Sequence, residues 1–430
     1  MIFALIVVPV LGLFVGVHRY LWCRLVRDTT TPGSRLRRTG TAAVFVLPLT
    51  TLAALPAERA GAPFGLQQAL AWPGYLWLAL VLYLTLALLV GEVVRAVALR
   101  ALRDRDREPA AEAPSAPAPS ADPAPAPSAD PPRAPSPSSA PTLLPPRTPA
   151  LPPLAVPPRR LFLARAVAAG ASLAATAAVG YGTATTLRGP TVKRVTVPLA
   201  KLPRAAHGFR IAVVSDIHLG PTLGRAHTRR VVETINRTGP DLVAIVGDLV
   251  DGSVADLAPA AEPLRGLRAR HGAYFVTGNH EYYSGAAPWV DHIRELGIHP
   301  LENARTELPG FDLAGVNDVT GQTEHAGPDY DLALGGRDPS RAVVLMAHQP
   351  VTIHDTVRFG VDLQLSGHTH GGQMWPFTYV AAATNPTVAG LERYGDTQLY
   401  VTRGAGAWGP PVRLGAPPDV TVVELASLRA

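Results

Sequence analysis

Asp216-Ile217-His218, Gly247-Asp248, Gly278-Asn279-His280-Glu281, His348 and Gly367-His368-Thr369-His370 bring carboxylate, amide and imidazole groups together in one part of the chain. Hard divalent cations at a phosphate site favour these ligand types. In Asp216-x-His218 the two-residue period of an extended segment points both side chains to one side, and His368-x-His370 repeats the arrangement. A carboxylate such as Asp248 can bridge two ions, holding them roughly 3.5–4 Å apart so that they share a hydroxide. Glycines at 247, 278 and 367 permit tight turns and close backbone approach. Cys23 is the only cysteine, which excludes an intramolecular disulfide and a cysteine-based metal site.

Rigid supports are needed to converge such groups, and the surrounding pattern supplies them. Short apolar runs at 211–215, 241–246, 273–277, 342–346 and 361–365 read as strands, and each one ends at one of the polar clusters. Helical periodicity at 225–237 and 257–270 falls between them, so the region from about residue 191 reads as an α/β domain. Ligand sites in such sheets sit at the carboxyl ends of strands. Five strand ends supplying Asp, His and Asn in succession point to one polynuclear metal centre. His227, His292, His299, His325 and His354 fit no cluster and read as surface or packing residues. Asp251 reads as a turn residue or an outer support of the ligands. Tyr282, Tyr283, Trp375 and Trp408 fit a substrate pocket or ordinary packing equally well.

In this order the clusters resemble the five motif blocks of the calcineurin-like metallophosphoesterase superfamily, over residues 210–371. Gly371-Gly372-Gln373 and the later Pro410-Pro411-Val412-Arg413-Leu414-Gly415 resemble its bacterial YkuE-type branch, which commonly has an amino-terminal export or membrane segment. The resemblance implies a four-layer fold, two mixed sheets sandwiched between helices. It implies that Asp216, His218 and His370 hold one metal, that Asn279, His348 and His368 hold a second, and that Asp248 bridges them. His280 would sit over the phosphate, stabilising charge or protonating the leaving oxygen. Asn279 and His280 would contact substrate, and Arg403 and Arg413 are further candidates for contact with a substrate phosphate. Glu281 stands where many relatives have an aspartate that orients this histidine. The two ions would be Mn, Fe or Zn, divalent or trivalent according to availability. They would lower the pKa of a shared water so that hydroxide attacks phosphorus in line. Ser215 and Thr369 then read as structural, because no protein nucleophile is needed.

The rest of the chain differs in character. Of the formal charge of +6, residues 1–190 contribute +9 and residues 191–430 contribute −3. The basic character therefore belongs to the amino-terminal region, and nucleic acid is not an expected partner. Three apolar runs (Ile2–Val17, Thr41–Leu55 and Trp72–Leu99) read as transmembrane helices within residues 1–103. Residues 104–158, dominated by Pro, Ala and Ser, read as a disordered linker. Arg159-Arg160-Leu161-Phe162-Leu163 opens an apolar stretch within residues 159–190. It resembles a twin-arginine export signal, and reads equally as a fourth transmembrane helix.

Arginine-rich connections before the second and fourth apolar segments place those loops in the cytoplasm and the domain at 191–430 outside it. The expected protein is a multi-pass enzyme of the cytoplasmic membrane that hydrolyses phosphomonoesters or phosphodiesters. A tethered active site suits a lipid-linked or cell-envelope phosphate, and also suits a nucleotide. The rival is a non-catalytic metal-binding or sensory module on the same fold, but no ligand position is missing.

Overall fold

A computed structural model of the chain describes residues 2–57, 60–105 and 159–429. The linker read at 104–158 lies outside these residues from position 106 onward. Four helices come first: α1 (Ile2–Leu21), α2 (Arg35–Ala57), α3 (Phe64–Arg105) and α4 (Arg159–Arg188). Among the described residues, three helical stretches are long and apolar enough to cross a membrane: Arg35–Ala57, Phe64–Ala101 and Arg160–Arg188. Helix α1 covers the first apolar run but, among the described residues, is not one of these three. Their basic ends share one side. Arg24, after α1, pairs with Glu92 near the end of α3 at 2.6 Å, and Arg165 of α4 donates to the Thr29 carbonyl at 3.0 Å.

Gly189 and Pro190 alone separate α4 from the first of twelve strands among the described residues. In chain order these are β1 (Thr191–Leu199), β2 (Phe209–Val214), β3 (Leu242–Val246), β4 (Ala273–Val276), β5 (His299–Pro300) and β6 (Ala304–Leu308). They continue with β7 (Phe311–Gly315), β8 (Ala342–Met346), β9 (Leu363–Ser366), β10 (Gly390–Tyr394), β11 (Thr397–Val401) and β12 (Asp419–Ser427). One sheet has the order β1-β12-β2-β3-β4-β5, the other β10-β11-β9-β8-β7-β6. Both are mixed: β2, β3 and β4 pair in parallel, as do β7, β8 and β9, while β12 joins β2 and β6 joins β7 antiparallel.

The remaining helices are α5 (Arg225–Thr238), α6 (Val254–Ala261), α7 (Asn279–Ser284), α8 (Ala286–Glu295), α9 (Tyr330–Leu334), α10 (Ile353–Thr356) and α11 (Phe377–Thr384). Strand pleating explains how continuous apolar runs build four layers, because consecutive side chains face opposite ways. Ile211 and Val213 of β2, with Leu242, Ala244 and Val246 of β3, point inward to meet Val344, Met346, Leu363 and Leu365 of the other sheet. Ala212, Val214, Val243 and Ile245 point outward under α5, α6 and α8. Val343 and Leu345 point out the other side, under α9. The expected two-sheet sandwich is the fold observed.

Candidate metal centre

Because β2, β3 and β4 run parallel, as do β8 and β9, their carboxyl ends deliver Asp216, Asp248, Asn279, His348 and His368 to one edge of the sandwich. Asp216, His218 and His370 form one buried group, and Asp248, His348 and His368 a second; within each, the ligand atoms lie within 4.8 Å of one another. In the first, His370 Nε2 lies 3.3 Å from Asp216 Oδ1 and 3.0 Å from His218 Nε2. In the second, His348 Nε2 lies 3.1 Å from Asp248 Oδ2, and Asn279 Oδ1 lies 3.0 Å from His368 Nδ1. Asp248 Oδ2 also lies 3.8 Å from His218 Nε2, so this carboxylate stands between the groups.

The convergence is achieved by a different backbone from the extended one expected. Asp216 and His218 each have φ of 49°, Asp248 52°, His368 71° and His370 52°. The chain has left the strand and turned into the left-handed region, where Asp, Asn and His are several-fold enriched among non-glycine residues. Glycines make room for these turns. A methyl group on Gly247, itself at φ 77°, would lie 2.7 Å from both His348 Nδ1 and Gly278 N.

The donor set suits metal ions. His348 Nδ1 donates to the Val246 carbonyl at 2.8 Å, which leaves Nε2 with a free lone pair. That nitrogen is buried without a hydrogen-bond partner and faces a carboxylate oxygen, an arrangement of two acceptors that a cation would satisfy. With no ion the nearest remedy is a proton: although burial opposes it, Asp248 holds the His348 pKa well above its ordinary value. Burial would raise the pKa of Asp216, but His370, His348 and His218 override it and keep the carboxylate ionised. His370 is held neutral, its pKa pushed down to about 4 by burial.

Glu281 departs from its expected surroundings, and Asp251 takes the outer-support position expected of it. Glu281 does not reach the His280 ring. It is buried and accepts from the N–H groups of Asp248 at 3.0 Å, Leu249 at 2.7 Å and Gly278 at 2.6 Å, stapling the loops after β3 and β4 together. Asp251 holds the ring instead. Its carboxylate lies 2.6 Å from His280 Nδ1 and 3.1 Å from His218 Nδ1. Burial would lower the His280 pKa, yet Asp251 raises it to about 9. The His280 ring packs edge-on to His218, Tyr283 and Trp408, at centroid distances of 4.8, 5.3 and 5.7 Å. Tyr282 turns away, its hydroxyl donating to the Ala326 carbonyl at 3.1 Å.

Arg413 is likewise absent from the open side, where substrate contact was expected. Buried behind His370, it donates to the carbonyls of His370 at 2.8 Å, Arg403 at 2.8 Å and Gly406 at 2.7 Å. Ser215 hydrogen-bonds Asp216, and Thr369 donates to the Val388 carbonyl at 2.6 Å, both supporting the loops.

Residues 209–372, which carry all seven candidate ligands, match the calcineurin-like phosphoesterase family model. A Bacillus subtilis protein described as the uncharacterized metallophosphoesterase YkuE is 32% identical over 283 residues, spanning 63% of this chain and 98% of that one. The chain belongs to the calcineurin-like metallophosphoesterase family. An uncharacterized metallophosphoesterase of Aquifex aeolicus is 33% identical over 239 residues, covering 54% of this chain and 91% of its own. A Danio rerio transmembrane protein with a metallophosphoesterase domain is 38% identical over 259 residues, or 57% of this chain. This metallophosphoesterase spans only 59% of that relative's length.

Proposed function

We propose that this metallophosphoesterase is a membrane-anchored hydrolase of phosphate mono- or diesters, with two metal ions held by residues of the strand-end loops. The observation that carries the reading is the pair of buried ligand groups joined through Asp248. Asp216, His218 and His370 would hold one ion, Asn279, His348 and His368 the other, with Asp248 shared. Two ions in such a set supply an activated water and neutralise charge on the phosphate. Asp251 aligns His280 and keeps it cationic, so its ring can steady the phosphate and give a proton to the leaving oxygen. Arg413 acts from behind as a positioning residue for His370. The buried surroundings of Asp216, Asp248 and His348 exclude bulk water, which strengthens every charge interaction there.

The domain division at 1–103, 104–158, 159–190 and 191–430 belongs to the same reading, as does an extracytoplasmic catalytic domain. Support for the orientation comes from the arginine-rich ends of α1, α3 and α4 on one side and the start of β1 at the other end of α4. The purified full-length chain, loaded with Mn²⁺, is expected to turn over aryl phosphates. His280→Ala should keep its metal content and lose at least 100-fold in kcat. Full activity in that variant refutes the proton-donor role, and absence of metal-dependent turnover in the native protein refutes the enzyme.

A further inference from the structure

Between His370 and Glu392 the sequence contains no charged residue. Within this segment lies α11, a helix with no buried residue. Phe377, Tyr379 and Val380 are 44%, 70% and 57% exposed, and Trp375 just before them is 48% exposed. An uncharged, aromatic-rich helix lying bare on a surface calls for a partner.

Its position indicates which partner. Met374, three residues ahead of α11, and Val412 belong to one buried apolar cluster that continues through Ala171, Ala175 and Val179 of α4 and Tyr83, Leu84 and Leu88 of α3. The Arg413 N–H donates to the Gly182 carbonyl at 3.0 Å, and the Trp375 N–H donates to the Leu414 carbonyl at 2.8 Å. The apolar stretch Arg160–Arg188 contains both Val179 and Gly182. At 1.5 Å per residue, Gly182 lies about 9 Å from the end of that stretch. The domain therefore touches its anchor helices near the hydrocarbon boundary, and α11 starts at that level. Trp and Tyr concentrate at this depth because their rings are apolar and their N–H and O–H groups need water.

The same segment is tied to the metal centre. His370 lies four residues before Met374. Arg413, whose main chain holds α4, donates through its side chain to the His370 carbonyl. Gln373 grips the Trp408 backbone at 2.9 and 3.0 Å, and the exposed Trp408 ring flanks His280.

We propose that Trp375 and α11 form a lip resting in the lipid headgroup layer, and that the metal centre beside it receives phosphate esters carried on membrane lipids. This substrate class rests on the phosphoesterase reading above; the contact with the membrane does not.

The full chain in lipid nanodiscs tests both halves. In a Cys23→Ser background, a fluorophore on Tyr379→Cys should be quenched at least five-fold more by lipids spin-labelled near the headgroup than one on Asp291→Cys of α8. Equal quenching at the two positions overturns the lip. Turnover is then compared on aryl phosphate mono- and diesters that differ only in carrying a methyl or a hexadecyl tail. Replacing Phe377, Tyr379 and Val380 together by serine should lower the hexadecyl-to-methyl ratio at least ten-fold and leave the methyl substrates unchanged. An unchanged ratio, or equal loss on both, overturns the lipid-borne substrate. If the native protein cleaves none of these esters, the phosphoesterase reading fails and the substrate class fails with it, while quenching at Tyr379 still decides the lip.

Discussion

The Asp251 carboxylate lies against both His218 and His280, so one side chain orients a candidate metal ligand and the candidate proton donor. Removing its charge while keeping its shape should misalign both rings, and losses of this kind typically amount to 10–100-fold. Asp251→Asn is accordingly expected to lower kcat on aryl phosphates by that factor, with KM little changed; native kcat would rule out the positioning role. His227 provides a separate prediction. It is buried in α5, and neither ring nitrogen has a hydrogen-bond partner. Burial, followed by Arg230 and Arg413, pushes its pKa down from 6.5 to about 3. Above pH 6.5 neither the folded nor the unfolded ring binds a proton, so stability is unaffected. Below it the unfolded ring takes up a proton that the folded ring refuses, and stability falls towards pH 3 by as much as roughly 5 kcal/mol. His227→Leu should therefore lose less melting temperature than the native protein between pH 7 and 4.5. Identical losses would show that this histidine has no part in acid sensitivity.

At the scale of elements, the parallel strands β2–β3–β4 and β8–β9 hold the candidate ligands, and the turns after them aim the side chains. Five ligand residues have positive φ, a conformation that costs on the order of 1–3 kcal/mol each where a side chain is strained. Packing of the loops against one another sustains it, with Glu281 joining the β3 and β4 turns through three N–H groups. Gly247 lies at the closest approach of these turns. Gly247→Ala places a methyl against His348 and Gly278 in a backbone region that disfavours it, so it should weaken metal retention at least ten-fold during dialysis. Retention equal to the native protein would mean that the turn can relax without moving His348.

For the whole molecule, a single continuous path joins anchor and site: α4 leads into β1, Gly182 holds Arg413, and Arg413 holds His370. If α4 anchors the chain as proposed, the same helix would support the site as well as tether it. On the proposed reading, Arg160 and Arg165 near the start of α4 would lie on the cytoplasmic side, which would put the other end of the helix and the domain outside. A reporter enzyme active only outside the cytoplasm, fused at the carboxyl terminus, should give signal. A reporter that works only in the cytoplasm should not; the reverse pattern would invert the orientation.

The sequence alone determined the candidate ligands, because a metal centre needs particular donor atoms and a parallel sheet delivers them at strand ends. Both can be read locally, from residue type and from where an apolar run stops. It also determined the apolar segments, since crossing a bilayer requires about 20 apolar residues whatever they contact. Tertiary structure alone decided which carboxylate faces His280, because helix α7 turns the side chains of His280 and Glu281 in different directions and the loop after β3 brings Asp251 to the histidine. It turned Glu281 onto backbone N–H groups and gave Asp251 the histidine. It buried Arg413 behind His370 rather than beside a substrate, and it set α11 at the foot of α4. Those outcomes depend on contacts between residues such as Gly182 and Arg413, far apart in the chain, and no local pattern of residues encodes such a meeting.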